Sequence, residues 1–93
     1  MAYSLAFKED AIKEWHALDN TVREQFKNKL EERLSSPYVP ASKLSGQKNR
    51  YKIKLRNIGY RLVCEVRDFE LVVVVVAIGK RERNAVYKAA VKR

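Results

Sequence analysis

Ninety-three residues make one small domain, with room for a single modest core. One cysteine, Cys64, and one histidine, His16, exclude an internal disulfide and a cysteine–histidine zinc site, and a reducing cytoplasm fits both facts. The formal charge is +9 and lopsided: residues 1–42 carry six basic and seven acidic side chains, residues 43–93 fourteen basic and four acidic, so the second part is suited to meeting polyanions.

The opening MAYSLAFKED lacks a basic leader followed by a long apolar segment, so no secretory signal is expected. The longest apolar run, Leu71 to Ile78, is eight residues, far short of the ~20 a membrane helix needs. No membrane role is expected of the chain.

Tyr3, Leu5 and Phe7 alternate with small or polar residues and predict a short strand with one buried face. The period then changes. Ala11, Ile12, Trp15 and Leu18 share a face of a helix from about Glu9 to Leu18, with Glu9 and Asp10 at its positive end. Thr21 with Glu24 reads as a capping box opening a second helix, whose Val22, Phe26, Leu30 and Leu34 run down one side until Ser35, Ser36 and Pro37 end it. The two helices are expected to form an antiparallel hairpin over a sheet. Proline, serine and glycine mark a loop between Pro37 and Asn49.

From Arg50 the pattern predicts three strands: Arg50 to Arg56, Tyr60 to Arg67 and Glu70 to about Gly79. In the first, Tyr51, Ile53 and Leu55 face one way and Lys52, Lys54 and Arg56 the other. In the second, Tyr60, Leu62, Cys64 and Val66 lie opposite Arg61, Val63, Glu65 and Arg67. A turn of Asn57-Ile58, or the longer Arg56 to Gly59, sets Leu55 against Tyr60, Ile53 against Leu62 and Lys54 against Arg61; a slip of one residue would place lysines against the apolar face. LVVVVVAI is apolar on both faces, which predicts a central strand whose register alternation cannot fix. Val86, Ala89 and Ala90 suggest a short terminal helix. The expected class is α+β: a single domain over residues 1–93, in which an N-terminal strand and a two-helix hairpin pack on an antiparallel sheet of about four strands, with a short C-terminal helix.

Antiparallel pairing brings Lys54, Arg56, Arg61 and Arg81 to one end of that sheet. Cations gathered on one concavity repel each other unless an anion binds there, and phosphate is the expected anion. Tyr87 and Tyr60 offer aromatic surfaces nearby, a combination suited to single-stranded nucleic acid. Alternating lysines alone would describe an ordinary solvated strand face; the convergence with Arg61 and Arg81, and Glu65 as the one acid between residues 43 and 67, favours a phosphate site. Lys43, Lys48, Arg50, Arg56, Tyr60, Lys80 and Arg83 complete the expected RNA-binding surface.

Other chemistries fit less well. A lone His16 cannot run a two-histidine ribonuclease mechanism, Cys64 lies on an apolar strand face, and Glu65, Asp68, Glu70 and Glu82 lack the spacing of a two-metal cluster. Cleavage of a phosphodiester without metal or histidine needs a nucleophile from the substrate, and only RNA has one, its 2′-hydroxyl. A lysine crowded by cations has a lowered pKa and can act as a general base; arginine is better suited to stabilising charge on phosphate. No cofactor is expected.

The runs Tyr51-Lys52-Ile53-Lys54-Leu55-Arg56, Gly59-Tyr60-Arg61-Leu62-Val63, Gly79-Lys80-Arg81-Glu82-Arg83 and Val86-Tyr87 resemble the RelE toxins of bacterial RelE/RelB toxin–antitoxin pairs, within the wider RelE/ParE superfamily. Met1-Ala2-Tyr3, Lys13-Glu14-Trp15 and Thr21-Val22-Arg23-Glu24-Gln25 extend the resemblance over nearly the whole chain. It implies a RelE-like, microbial-RNase-like fold and a ribosome-dependent endoribonuclease that cuts messenger RNA in the A site through a 2′,3′-cyclic phosphate, without metal. Carried over, Lys52 and Lys54 activate the 2′-hydroxyl and hold phosphate, with Lys54 the better base; Arg61 stabilises the transition state, Arg81 serves the leaving 5′-oxygen and Tyr87 stacks on a base. The implied partners are a RelB-type antitoxin, the 70S ribosome with its small-subunit ribosomal RNA, messenger RNA, and operator DNA only through the antitoxin in joint autoregulation. Two departures stand out. Ser45 replaces an arginine of the family pattern, which implies weaker contact with ribosomal RNA, and the sequence lacks an apolar finish after Arg93, which implies a trimmed or less firmly docked final helix. The competing readings are a ParE-like gyrase inhibitor and a non-catalytic binder of ribosomal RNA.

Overall fold

The structure, a computed structural model, describes residues 2–82 and 85–93. The chain runs β1 (Ser4–Phe7), α1 (Glu9–Ala17), α2 (Asn20–Ser35), a 3₁₀ turn (Pro40–Ser42), β2 (Arg50–Leu55), β3 (Tyr60–Arg67), β4 (Val72–Lys80) and α3 (Ala85–Lys92). The four strands form one sheet in the order β1-β4-β3-β2. No helix among the described residues is long and apolar enough to cross a membrane.

Helix α2 shows how the elements arise. Val22, Phe26, Leu30 and Leu34 recur every fourth residue and are the helix's buried side chains, so one stripe faces the sheet while the remaining positions are mostly exposed and polar. Its N-cap is Asp19, whose carboxylate accepts from the Thr21 N–H at 3.1 Å. The capping box predicted at Thr21 is therefore displaced by two residues. An aspartate just ahead of the first turn serves the same orphan amides and also complements the helix dipole.

The sheet is mixed, not wholly antiparallel: β1 runs parallel to β4, with Ser4 opposite Val72 and Phe7 opposite Val75. Helices α1 and α2 carry the chain from β1 to the far edge, and the β2-β3-β4 meander then returns to β1 in the same direction. Alternation in a strand reports its faces and says nothing of its direction, which is why the sequence did not reveal this.

The register of β2 against β3 is the predicted one: Lys54 opposite Arg61, Ile53 opposite Leu62 and Leu55 opposite Tyr60. β4 lies in the interior of the sheet, as its apolar run predicted, but starts at Val72; Asp68 to Leu71 form the turn before it, with Leu71 at φ 54°. A bulge interrupts its pairing with β3. Val63 opposes Ala77 and Cys64 opposes Val75, leaving Val76 as the additional residue. The bulge changes the phase of the strand, so Val73, Val75 and Ile78 pack beneath α1 and α2 while Val76 and Ala77 both turn to the other side.

The sheet therefore divides the interior in two, where a single core was expected. One cluster joins Ala11, Leu18, Val22, Phe26, Leu30 and Leu34 of the helices to Ile53, Leu62, Cys64, Val66, Val73 and Val75. A smaller one joins Leu44, Val63, Val76 and Ala77 to Val86 and Ala90 of α3. α3 is firmly docked, contrary to the expectation drawn from its sequence. Beyond its apolar face, the Arg93 guanidinium bonds Glu14 Oε1 at 2.8 Å, Glu14 Oε2 at 3.1 Å and the Val76 carbonyl at 2.9 Å, which ties α3 to α1 and β4. Three of the guanidinium's N–H groups thus have carboxylate or carbonyl acceptors, and Nε lies 3.7 Å from Asp10 Oδ2.

Candidate functional site

Four residues, Arg56 to Gly59, turn β2 into β3, with the Leu55 carbonyl accepting from Ile58 N at 3.3 Å and Gly59 N at 2.9 Å. Gly59 takes φ 71°, a region costly for a side chain-bearing residue. The register then places Lys54, Arg61 and Gly79 in a row across three strands. The Arg81 amide donates to the Gly59 carbonyl at 2.6 Å and brings the segment after β4 over the hairpin end.

These placements bring Lys52, Lys54, Arg56, Arg61 and Arg81 together. The Lys54 ammonium is held below the ordinary lysine range by Lys52 first, then by partial burial, then by Arg56, Arg61 and Arg81. Four cations acting on one amine is the electrostatic signature of their convergence. Arg61 is 7% exposed, and its Nη1 bonds the Tyr60 carbonyl at 3.1 Å. None of the five cations pairs with a carboxylate among the described residues. Tyr87 of α3 packs half-buried on the cluster that contains Val63, on the sheet face shared by Arg61 and Lys54.

Other expected site residues are placed elsewhere. Tyr60 packs against the opposite cluster, beneath α1 and α2, and Lys80 pairs with Tyr60 and lines a crevice with Glu14 and Glu82. Lys48 and Arg50 lie at the other end of β2. There Lys48 lines a groove with Glu65 and Asp68, while the Arg50 guanidinium is committed to Glu65 at 3.1 Å, Gln47 at 3.3 Å and the Ala90 carbonyl. Lys43 is exposed beside its bridge to Tyr51, Ser45 is exposed in the same loop, and Arg83 falls outside the described residues. Cys64 is buried as expected, and burial pushes its thiol up to about 11, so it is no thiolate near neutral pH. His16 is exposed on α1.

Sequence reasoning missed two cations. Lys29 and Arg33 of α2 line a groove with Lys52, Lys54 and Arg56 along the free edge of β2. Their spacing of four residues puts both on one helix face, and that was the available signal; it was masked by the near-neutral charge of the first 42 residues.

A family model described as ParE toxin of type II toxin–antitoxin system, parDE, matches residues 5–85. The mRNA interferase toxin RelE of Escherichia coli strain K12 is 58% identical over 100% of this chain and 98% of its own. A solved structure of a double arginine-to-alanine mutant of E. coli toxin RelE in the free state superposes with TM-score 0.92 at 56% identity, covering 100% of this chain and 98% of that one. RelE in the intact E. coli RelBE toxin–antitoxin complex matches with TM-score 0.84 at 56% identity, over 88% of this chain and 100% of that one. Sequence and fold together establish that the chain belongs to the RelE/ParE family of type II toxin–antitoxin toxins, as a RelE-type member.

Proposed function

We propose that this chain is an mRNA endoribonuclease toxin that cuts messenger RNA in the ribosomal A site by metal-independent attack of the 2′-hydroxyl, and so inhibits translation. The observation that carries the reading is the group of Lys52, Arg56, Arg61 and Arg81 around an amine, Lys54, whose pKa they lower. A neutral Lys54 amine takes the 2′-hydroxyl proton as the oxygen bonds phosphorus, with Lys52 holding the phosphate. Arg61 stabilises the charge that develops on the phosphoryl oxygens. The bond to the 5′-oxygen breaks with its electron pair on oxygen, where Arg81 stabilises it and solvent supplies the proton. Tyr87 stacks on a base and orients the strand.

The full-length likeness to a protein named mRNA interferase toxin RelE supports this reading over gyrase inhibition. The relative solved with RelB supports a RelB-type antitoxin as partner, whose acidic segments complement a chain of net charge +9. The site of action is then the cytoplasm, with operator DNA reached only through the antitoxin. Mapping messenger 5′ ends after incubation with programmed 70S ribosomes is the test. Cleavage within the A-site codon is expected; intact codons on ribosomes to which the protein is bound refute it, and inhibition of supercoiling would transfer the reading to gyrase.

A further inference from the structure

The groove between α2 and the free edge of β2 shares Lys52, Lys54 and Arg56 with the proposed site and adds two cations, Lys29 and Arg33, that the proposed chemistry does not use. It measures about 310 Å³ and is lined by Lys29, Arg33, Ser42, Lys52, Lys54 and Arg56, with Ala41 and Ile53, and contains no acid. A neighbouring hollow of about 400 Å³ shares Lys29, Lys54 and Arg56, so the basic channel continues as far as Asn57 in the β2–β3 turn. Lys29 has no salt bridge among the described residues, and neither has Arg33.

Arg33 is held unusually for a surface cation. Its Nη2 donates to Ser42 Oγ and to the Lys52 carbonyl, each at 3.2 Å, which satisfies an acceptor on the outer edge of the sheet. Its Nη1 is buried and has no hydrogen-bond partner among the described residues. A guanidinium with an unsatisfied N–H, set among four other cations, is unfavourable as it stands, and an anion in the groove relieves both deficits.

We propose that this groove is a second RNA phosphate subsite, in which Lys29 and Arg33 grip a phosphodiester next to the one held for cleavage. The proposal rests on the RNA-cleaving reading. Lys52 and Lys54 border both places, so a strand leaving the reactive linkage reaches the groove around the edge of β2, where a turn of Arg33 gives Nη1 a phosphate oxygen. RNA is favoured over an acidic peptide because the cations continue directly from those set for the reactive phosphate.

The test measures binding of an uncleavable 2′-O-methyl RNA hexanucleotide to the full chain across a salt series, for the unmodified protein, Lys29→Ala and Arg33→Gln. Lys29 is exposed on α2 and its removal spares the fold; glutamine keeps a donor for the Lys52 carbonyl, and circular dichroism checks both. Each variant is expected to weaken binding about three- to tenfold at physiological salt and to flatten the log–log salt dependence by about 0.7, the value for one single-strand phosphate contact. Unchanged affinity and slope in folded Lys29→Ala overturns the subsite, as does loss of poly-glutamate binding with RNA binding intact. On programmed ribosomes, a neutral methylphosphonate next to the A-site codon separates two sources of the phosphate: it erases the variants' defect if the messenger supplies it and leaves the defect if ribosomal RNA does. The first result upholds the subsite as stated; the second overturns its assignment to the linkage next to the reactive one. Absence of cleavage alongside the binding difference refutes the nuclease reading and leaves the subsite standing.

Discussion

Lys54 carries the heaviest chemical demand in the proposed site, and its neighbours decide whether it can meet it. A lysine ammonium at its ordinary pKa of about 10.4 is almost never neutral at physiological pH, so the lowering produced by Lys52, partial burial, Arg56, Arg61 and Arg81 is a precondition for base catalysis. Lys54→Ala is expected to lower the single-turnover cleavage rate about 10²–10⁴-fold, the usual worth of a positioned base. Lys54→Arg should do nearly as much damage while retaining RNA affinity, because a guanidinium holds phosphate and does not give up its proton. A third variant isolates the electrostatics. Lys52→Ala removes the largest of the charges acting on Lys54, so its pKa rises and the acidic limb of the rate–pH profile should move to higher pH; an unmoved limb in a cleavage assay rules out Lys54 as the base.

At the scale of elements, α3 and β4 approach each other because Gly79 has no side chain. A Cβ built there lies 2.9 Å from Val86 Cγ2, and a β-branched valine on a docked helix has little freedom to retreat. Gly79→Ala should therefore cost about 1–3 kcal/mol and displace α3, which carries Tyr87 immediately after Val86. Adding Val86→Ala removes the obstructing methyl, so the double variant should melt no lower than Val86→Ala alone, a non-additivity that thermal unfolding of the three proteins can read. The sequence announced only some of these relations. The hairpin register was legible because Lys52 and Lys54 tolerate one face alone, and convergence of Lys54, Arg61 and Arg81 followed from that register. Five consecutive valines carry no such contrast, so neither the bulge at Val76 nor the partners of β4 could be read from them. Arg33 escaped for another reason: its role depends on the position of α2 relative to the edge of β2, which no local pattern records.

For the whole molecule, a net charge of +9 makes its few carboxylates disproportionately important to stability. Partial burial opposes ionisation of Glu65, but its hydrogen bonds from Arg67 at 2.7 Å and Arg50 at 3.1 Å prevail and hold it below the usual glutamate range. Tyr38 and Tyr3, the latter at 2.7 Å, hold Asp68 low in the same way at the neighbouring turn. The sign follows from linkage. A carboxyl with a folded pKa below its unfolded value contributes stability that is complete above the unfolded value and lost as pH falls through the folded one. Stability should therefore decline as the pH drops below about 4, where an unfolded chain already takes up protons and the growing positive charge of the folded one has fewer anions to offset it. Glu65→Gln leaves Arg50 and Arg67 without their shared charge and loosens the link from β3 through Arg50 to the Ala90 carbonyl of α3. That variant should melt lower than the parent at pH 7 and lose less on acidification, with the two melting curves drawing together as the pH falls below the unfolded glutamate pKa of about 4.3 and through the lower folded one; parallel curves across that range would show that Glu65 does not hold the basic half together.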